Sequence, residues 1–161
     1  MIEIKIDDKG VNELLTALQH RLTDLSPVMK HIAGIMEDAV KKNFKEEGRP
    51  KWKPSGRADK RGGKTLQDTG LLAASITSSS DANTAAVGTN RIYAAIHQFG
   101  GKTSAHKIRP RDKKALFWPG AGHPVMEVNH PGSVIPARPF LSLTDGDVEE
   151  IKRAISEYLT K

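Results

Sequence analysis

The side chains best suited to chemistry sit mid-chain: His97, His106, His123 and His130. Imidazole titrates near neutrality and ligates zinc, so such a run raises proton transfer or metal binding. The separations of 9, 17 and 7 match no standard ligand pattern. Only His123 has a carboxylate four residues on, Glu127, and Pro124 makes that segment extended, so the two share no helical face. Serines are plentiful, but none lies in the G-x-S-x-G turn of a nucleophile elbow. Gly100-Gly101 has neither a Walker lysine nor a G-x-G-x-x-G around it. Paired carboxylates have structural uses: Asp7-Asp8 as a cap, Glu37-Asp38 on a solvated helix face, Glu149-Glu150 in a first helical turn. There is no cysteine, so neither a disulfide nor a thiolate metal site is available. The sequence points away from an enzyme, and no cofactor or metal is expected.

Charge is more informative. Residues 41–64 carry ten Lys or Arg against three acids, and residues 102–114 carry six against one, on a chain whose net charge is +6. The remainder is mildly acidic. Lys51, Lys53, Lys60 and Arg61 in the first stretch, with Arg109 and Arg111 in the second, are candidates to face DNA. A solvated loop is the plain alternative. Trp52 stands between lysines, where it would either stack on a base or plug the edge of a core. No helix gathers Lys and Arg on one face as a groove-reading helix does, so any nucleic-acid contact is expected to be non-specific.

These residues need elements to position them. Ile2, Ile4 and Ile6 alternate with polar residues like a half-buried strand. Val11, Leu14, Leu15, Leu18, Leu22 and Leu25 mark one helix face. Ser26-Pro27 offers an N-cap and first-turn proline for a second helix reaching about Phe44. From 46 to 64, glycines and prolines among like charges predict no regular element and a mobile loop, the first place a protease should cut. Thr69 is placed to cap a short helix, followed by a hairpin over 75–88 with its turn at Asp81. Ile92, Ala95, Ile96 and Phe99 recur at helical spacing before the Gly100-Gly101 stop, which puts Phe99 in the core and Tyr93 beside His97. Two or three β-like runs follow, at 106–109, 115–118 and 124–129. Pro136 and Pro139 then hold an extended segment leading Phe140 into the core. Arg138 between them could pair with a carboxylate of its own or a neighbouring subunit, or be a solvated surface arginine. A last helix starts near Thr144, with Asp147 at the capping-box position.

The ordered set Trp52 in a basic loop, Leu66-Gln67-Asp68-Thr69-Gly70-Leu71-Leu72, Ser75-Ile76, Val87-Gly88-Thr89, Tyr93-Ala94 with His97-Gln98-Phe99-Gly100-Gly101, and Ile135-Pro136-Ala137-Arg138-Pro139-Phe140-Leu141 resembles the phage virion morphogenesis (tail completion) proteins, relatives of head–tail joining and neck proteins. The resemblance covers roughly residues 26–145. It implies a structural protein that completes tails and joins them to heads, made in the host cytoplasm and carried in the virion. It also implies a homo-oligomeric ring, with a hexamer as the expected form, touching other tail or connector proteins and passing DNA. Extended loops at 46–64 and 101–114 would then reach neighbours, and Trp52, Trp118, Tyr93, His97 and Arg138 are interface candidates. A non-specific nucleic-acid-binding module is the alternative function. No run is long enough to span a membrane.

The expected fold is α+β: one domain over residues 1–161, with a mainly antiparallel sheet, two N-terminal helices and one C-terminal helix packed on it, and long basic loops.

Overall fold

The computed structural model describes residues 9–160. The strand expected from Ile2, Ile4 and Ile6 and the cap from Asp7-Asp8 lie outside the described residues. The elements in order are α1 (Lys9–Thr23), α2 (Ser26–Glu46), α3 (Gly56–Arg61), α4 (Leu71–Ala74), β1 (Ile76–Ser80), β2 (Ala85–Thr89), α5 (Ala94–Phe99), β3 (Gly101–Lys102), β4 (His106–Ile108), β5 (Val128–His130), β6 (Val134–Ile135) and α6 (Asp145–Thr160). The fold is α+β, with strands paired antiparallel in three two-stranded ladders, β1–β2, β3–β6 and β4–β5. The chain forms two compact units: the first from residues before 93 and after 138, the second from residues 93–138.

In the first unit α2 is the organising element. Its apolar stripe buries Val28, Ile32, Ile35, Ala39, Val40 and Phe44 against β1, β2 and α6. The N-cap position falls on Leu25 rather than Ser26 and has no side-chain cap bond. Instead the Ser26 amide donates to Asp24 Oδ1 at 2.9 Å. The helix stops at Glu47, in the left-handed conformation, whose amide reaches back to the Asn43 and Phe44 carbonyls. The β1–β2 hairpin turns on Asp81, whose carboxylate accepts from the amides of Asn83 and Thr84 and from the Thr84 hydroxyl. Thr69 does not cap α4; Gly70, at φ +74, takes the N-cap position.

Helix α1 forms where its periodicity placed it, yet none of its residues is buried. Val11, Leu14, Leu15 and Leu22 are each more than half exposed. Two bonds hold its C-terminal end to α6: Arg21 Nη1 to the Leu159 carbonyl at 2.9 Å, and the Tyr158 hydroxyl to the Asp24 carbonyl at 2.5 Å.

The 46–64 stretch contains a regular element that the glycine and proline count hid. Ser55 accepts from the Ala58 amide at 3.2 Å and caps α3, and Gly62, at φ +75, ends it. A good cap outweighs flanking breakers over six residues. Bonds to the rest of the unit also tie the stretch down. Glu47 Oε1 accepts from the Thr65 amide at 2.6 Å, and Lys64 Nζ donates to the Lys45 carbonyl at 3.3 Å.

Candidate assembly surface

Two of the sequence segments singled out above close on each other inside the second unit. Gly101 pairs with Ile135 and Lys102 with Val134 in the β3–β6 ladder, and the Arg138 amide donates to the His97 carbonyl at 2.7 Å. Gly100 sits at φ +72, where a side chain's Cβ would come within 2.7 Å of the Ala137 amide nitrogen and 3.0 Å of the Ile135 carbonyl. The paired glycines are therefore more than a helix stop. They let the 135–138 segment pass against the end of α5.

His97 is half-buried at that crossing, and its Nδ1 has no hydrogen-bond partner among the described residues. The ring meets Tyr93 edge-on, with centroids 6.1 Å apart. Burial and, secondly, the nearby Arg138 guanidinium push its pKa below the ordinary 6.5. Because the folded value is depressed, the unfolded chain takes up the proton first as pH falls. Stability is lost from about pH 6.5 downward until the folded value is passed. Melting scans at pH 7.5 and 5.5 should show a larger drop for the parent than for His97→Gln. Parallel drops would refute a buried neutral imidazole.

Several expected site residues lie elsewhere than anticipated. Trp52 is 7% exposed, its ring edge-on to Phe44 at 5.7 Å and its Nε1 donating to the Pro139 carbonyl at 3.2 Å. It plugs the core of the first unit and offers no surface to a partner. Arg138 is 5% exposed, which sets aside the solvated-arginine reading. Phe99, expected in the core, is 79% exposed. Helix α5 starts only at Ala94, so the four-residue apolar face never forms; Ile92 precedes the helix and is 99% exposed, and Ala94 is the buried residue. Phe140 is fully buried, 5.4 Å from Phe44.

The basic candidates fall in different units. Lys51, Lys53, Lys60 and Arg61 are exposed in the first, and Arg109 and Arg111 are exposed in the second. Lys51 Nζ donates to the Glu46 carbonyl at 2.6 Å. Arg109 is paired with Glu127 at 2.8 Å, and Lys107 shares that carboxylate at 2.6 Å. These two cations hold the Glu127 pKa below its usual range, so the carboxylate noted four residues after His123 is already occupied. His106 and His130 face each other across β4–β5 with stacked rings 5.1 Å apart.

What the sequence did not bring together is an apolar cleft. Ile108, Leu116, Phe117, Trp118 and Val128 line a shallow depression of about 280 Å³ in the second unit. The β4–β5 ladder and the Leu116–Val125 bridge shape its floor. Phe117 is 67% exposed, Trp118 45% and the neighbouring Met126 68%. The β-like apolar run at 115–118 and Trp118 as an interface candidate were the signals in the chain, and neither could say which face stays open.

The profile of the phage virion morphogenesis family matches residues 6–160. The chain belongs to the phage virion morphogenesis family. It is also similar to "Mu-like prophage FluMu G protein 2" of Haemophilus influenzae, 42% identical over 159 residues that cover 98% of this chain and 96% of that protein. No solved structure matches it. For this virion morphogenesis protein, the family supports a structural, virion-associated role. No helix among its described residues is long and apolar enough to cross a membrane. The segments that carried the resemblance divide between the two units. Trp52, Gln67 and Phe140 knit the first, with Gln67 Nε2 donating to the Phe44 carbonyl at 2.6 Å. His97, Gly100 and Arg138 knit the second. Those segments hold each unit together, and the exposed aromatic side chains divide between them (Tyr93, Phe99) and the cleft (Phe117, Trp118).

Proposed function

We propose that this protein completes the phage tail and joins it to the head, acting as a homo-oligomeric ring within the virion, with a hexamer as the expected form. One observation carries the oligomeric part. Phe99, Phe117, Met126 and Val134 are all two thirds or more exposed in the single chain. Aromatic residues and Met are enriched at protein interfaces, and large exposed apolar patches on soluble proteins mark contact sites. The placement at the tail and its junction rests on family membership together with the resemblance of the ordered segments. Other tail or connector proteins are the expected neighbours.

A second reading has its own support. The second unit carries seven Lys or Arg against two acids, a net +5 in 46 residues. Such a field attracts DNA without reading its sequence, and DNA must traverse a head–tail junction. In the ring this becomes an accessory role for Arg109 and Arg111.

The test is genetic. A prophage with this gene interrupted should release separate heads and tails, and supplying the protein in trans should restore joined particles. Joined particles at parental yield without the protein would overturn the proposal.

A further inference from the structure

We infer that the Trp118 cleft of one copy receives helix α6 of a second copy, with the basic rim of the cleft meeting the acids of that helix. This names the two faces of the ring contact and rests on the ring reading. The cleft is lined by apolar side chains only, so its occupant must bring an apolar anchor, which a phosphate backbone cannot supply. The rim is cationic. Arg111, Lys113 and Lys114 are exposed in the segment leading into the cleft, with Asp112 as the single acid among them, and no ion pair joins any of the three cations to an acid among the described residues. Glu127 does not neutralise them, because Lys107 and Arg109 already hold it. The occupant must therefore also be acidic.

The chain itself carries a surface of that chemistry. Helix α6 has five acids against two cations, a net −3; Glu149 and Glu150 are exposed, and although Lys152 reaches Glu149 at 2.7 Å the helix keeps its acidic excess. Val148 and Ile155, seven residues apart and so on one helical face, are each 37% exposed. Leu143, just before the helix, is 38% exposed beside the exposed Asp145. Pairing two second units with each other would set +5 against +5, so a symmetric contact through the cleft is disfavoured. Cleft to α6 joins unlike faces, and a repeated contact between unlike faces closes rings.

The experiment is native mass spectrometry on four samples: the parent, Lys113→Glu/Lys114→Glu, Glu149→Lys/Glu150→Lys, and an equimolar mixture of the two double variants. All four residues are exposed, and a melting scan of each double variant confirms that it is folded before its mass is read. The parent should give the ring mass and each variant alone should lose it. The mixture should recover an assembly, because the acidified rim then meets the basic helix and the native rim meets the native helix. Either variant assembling like the parent would overturn the inference, as would a mixture that stays monomeric. An unchanged ring with lost binding of duplex DNA would assign the rim to nucleic acid instead. A monomeric parent would overturn the ring reading itself, a result distinct from the others.

Discussion

Phe140→Ala is expected to lower the melting temperature of the isolated chain by roughly 6–20 °C, the range for a loss of about 3–5 kcal/mol in a chain of this size. Phe140 has no solvent exposure. Its ring lies 5.4 Å from Phe44, which in turn meets Trp52, so three aromatic side chains form one packed cluster. Removing the central atoms of a close-packed interior loses their transfer free energy and leaves a cavity that the rigid surroundings fill poorly. The backbone adds to this, since Asn43 Nδ2 donates to the Phe140 carbonyl at 2.9 Å, so the residue's position is fixed on both sides of its Cα. Phe99→Ala supplies the control. At 79% exposure Phe99 should cost within about 0.5 kcal/mol, and its loss should show in assembly instead. Circular dichroism melts of the two variants check this. Similar shifts for both would refute the contrast.

These two phenylalanines also show how far the sequence could be read. Long periodic segments were legible: α2 and α6 repeat an apolar face over four or more turns, and chance seldom sustains that. Short ones were not. Helix α5 has six residues, too few for the spacing of its apolar side chains to fix which face meets the core; Ala94 is buried and Phe99 is left on the surface. The single expected sheet became three short ladders because pairing depends on partners distant in sequence. Gly101 meets Ile135, and His106 meets His130. Trp52 was placed correctly only in one of its two weighed roles, since a tryptophan between lysines looks the same whether it plugs a core or waits for a base. The cleft at Trp118 was illegible for a related reason. Ala115 to Trp118 is apolar at every position, so the sequence does not show which of its faces another layer covers.

Asp147 is the clearest case of a contact that no local pattern reveals, and its replacement is the second large effect expected. Arg49 and Asp147 stand 98 residues apart and are 18% and 5% exposed. Arg49 Nη2 reaches Asp147 Oδ2 at 2.8 Å and Nη1 reaches Oδ1 at 3.2 Å, a bidentate pair. The other guanidinium donors are also used. Nε goes to Asn43 Oδ1 at 2.7 Å and Nη2 to the Ala39 carbonyl at 2.9 Å. Asp147 in turn accepts from the Thr144 amide and hydroxyl, both at 2.8 Å, which closes the capping box at the start of α6. Asn43, fully buried, passes the network on to the Phe140 and Ser142 carbonyls. Asp147→Ala would leave a largely buried guanidinium without its anion and α6 without part of its cap. Removing one partner of a buried pair typically costs about 3–5 kcal/mol, and the residual solvent access of Arg49 argues for the lower end. The pH dependence makes the mechanism checkable. Burial by itself would raise the Asp147 pKa, but the bonds from Thr144 and the Arg49 partner outweigh it and hold the value below the ordinary 3.8. A depressed carboxylate contributes stability above its unfolded pKa and loses it as pH falls through the folded value. The parent should therefore melt well above Asp147→Ala at pH 7, and the gap should shrink on acidification below about pH 4. Thermal scans of both proteins at pH 7 and pH 3 measure that gap directly. An equal gap at both values would mean that Asp147 acts by packing alone, and the proposed charge network between α2, the Arg49 turn and α6 would have to be abandoned.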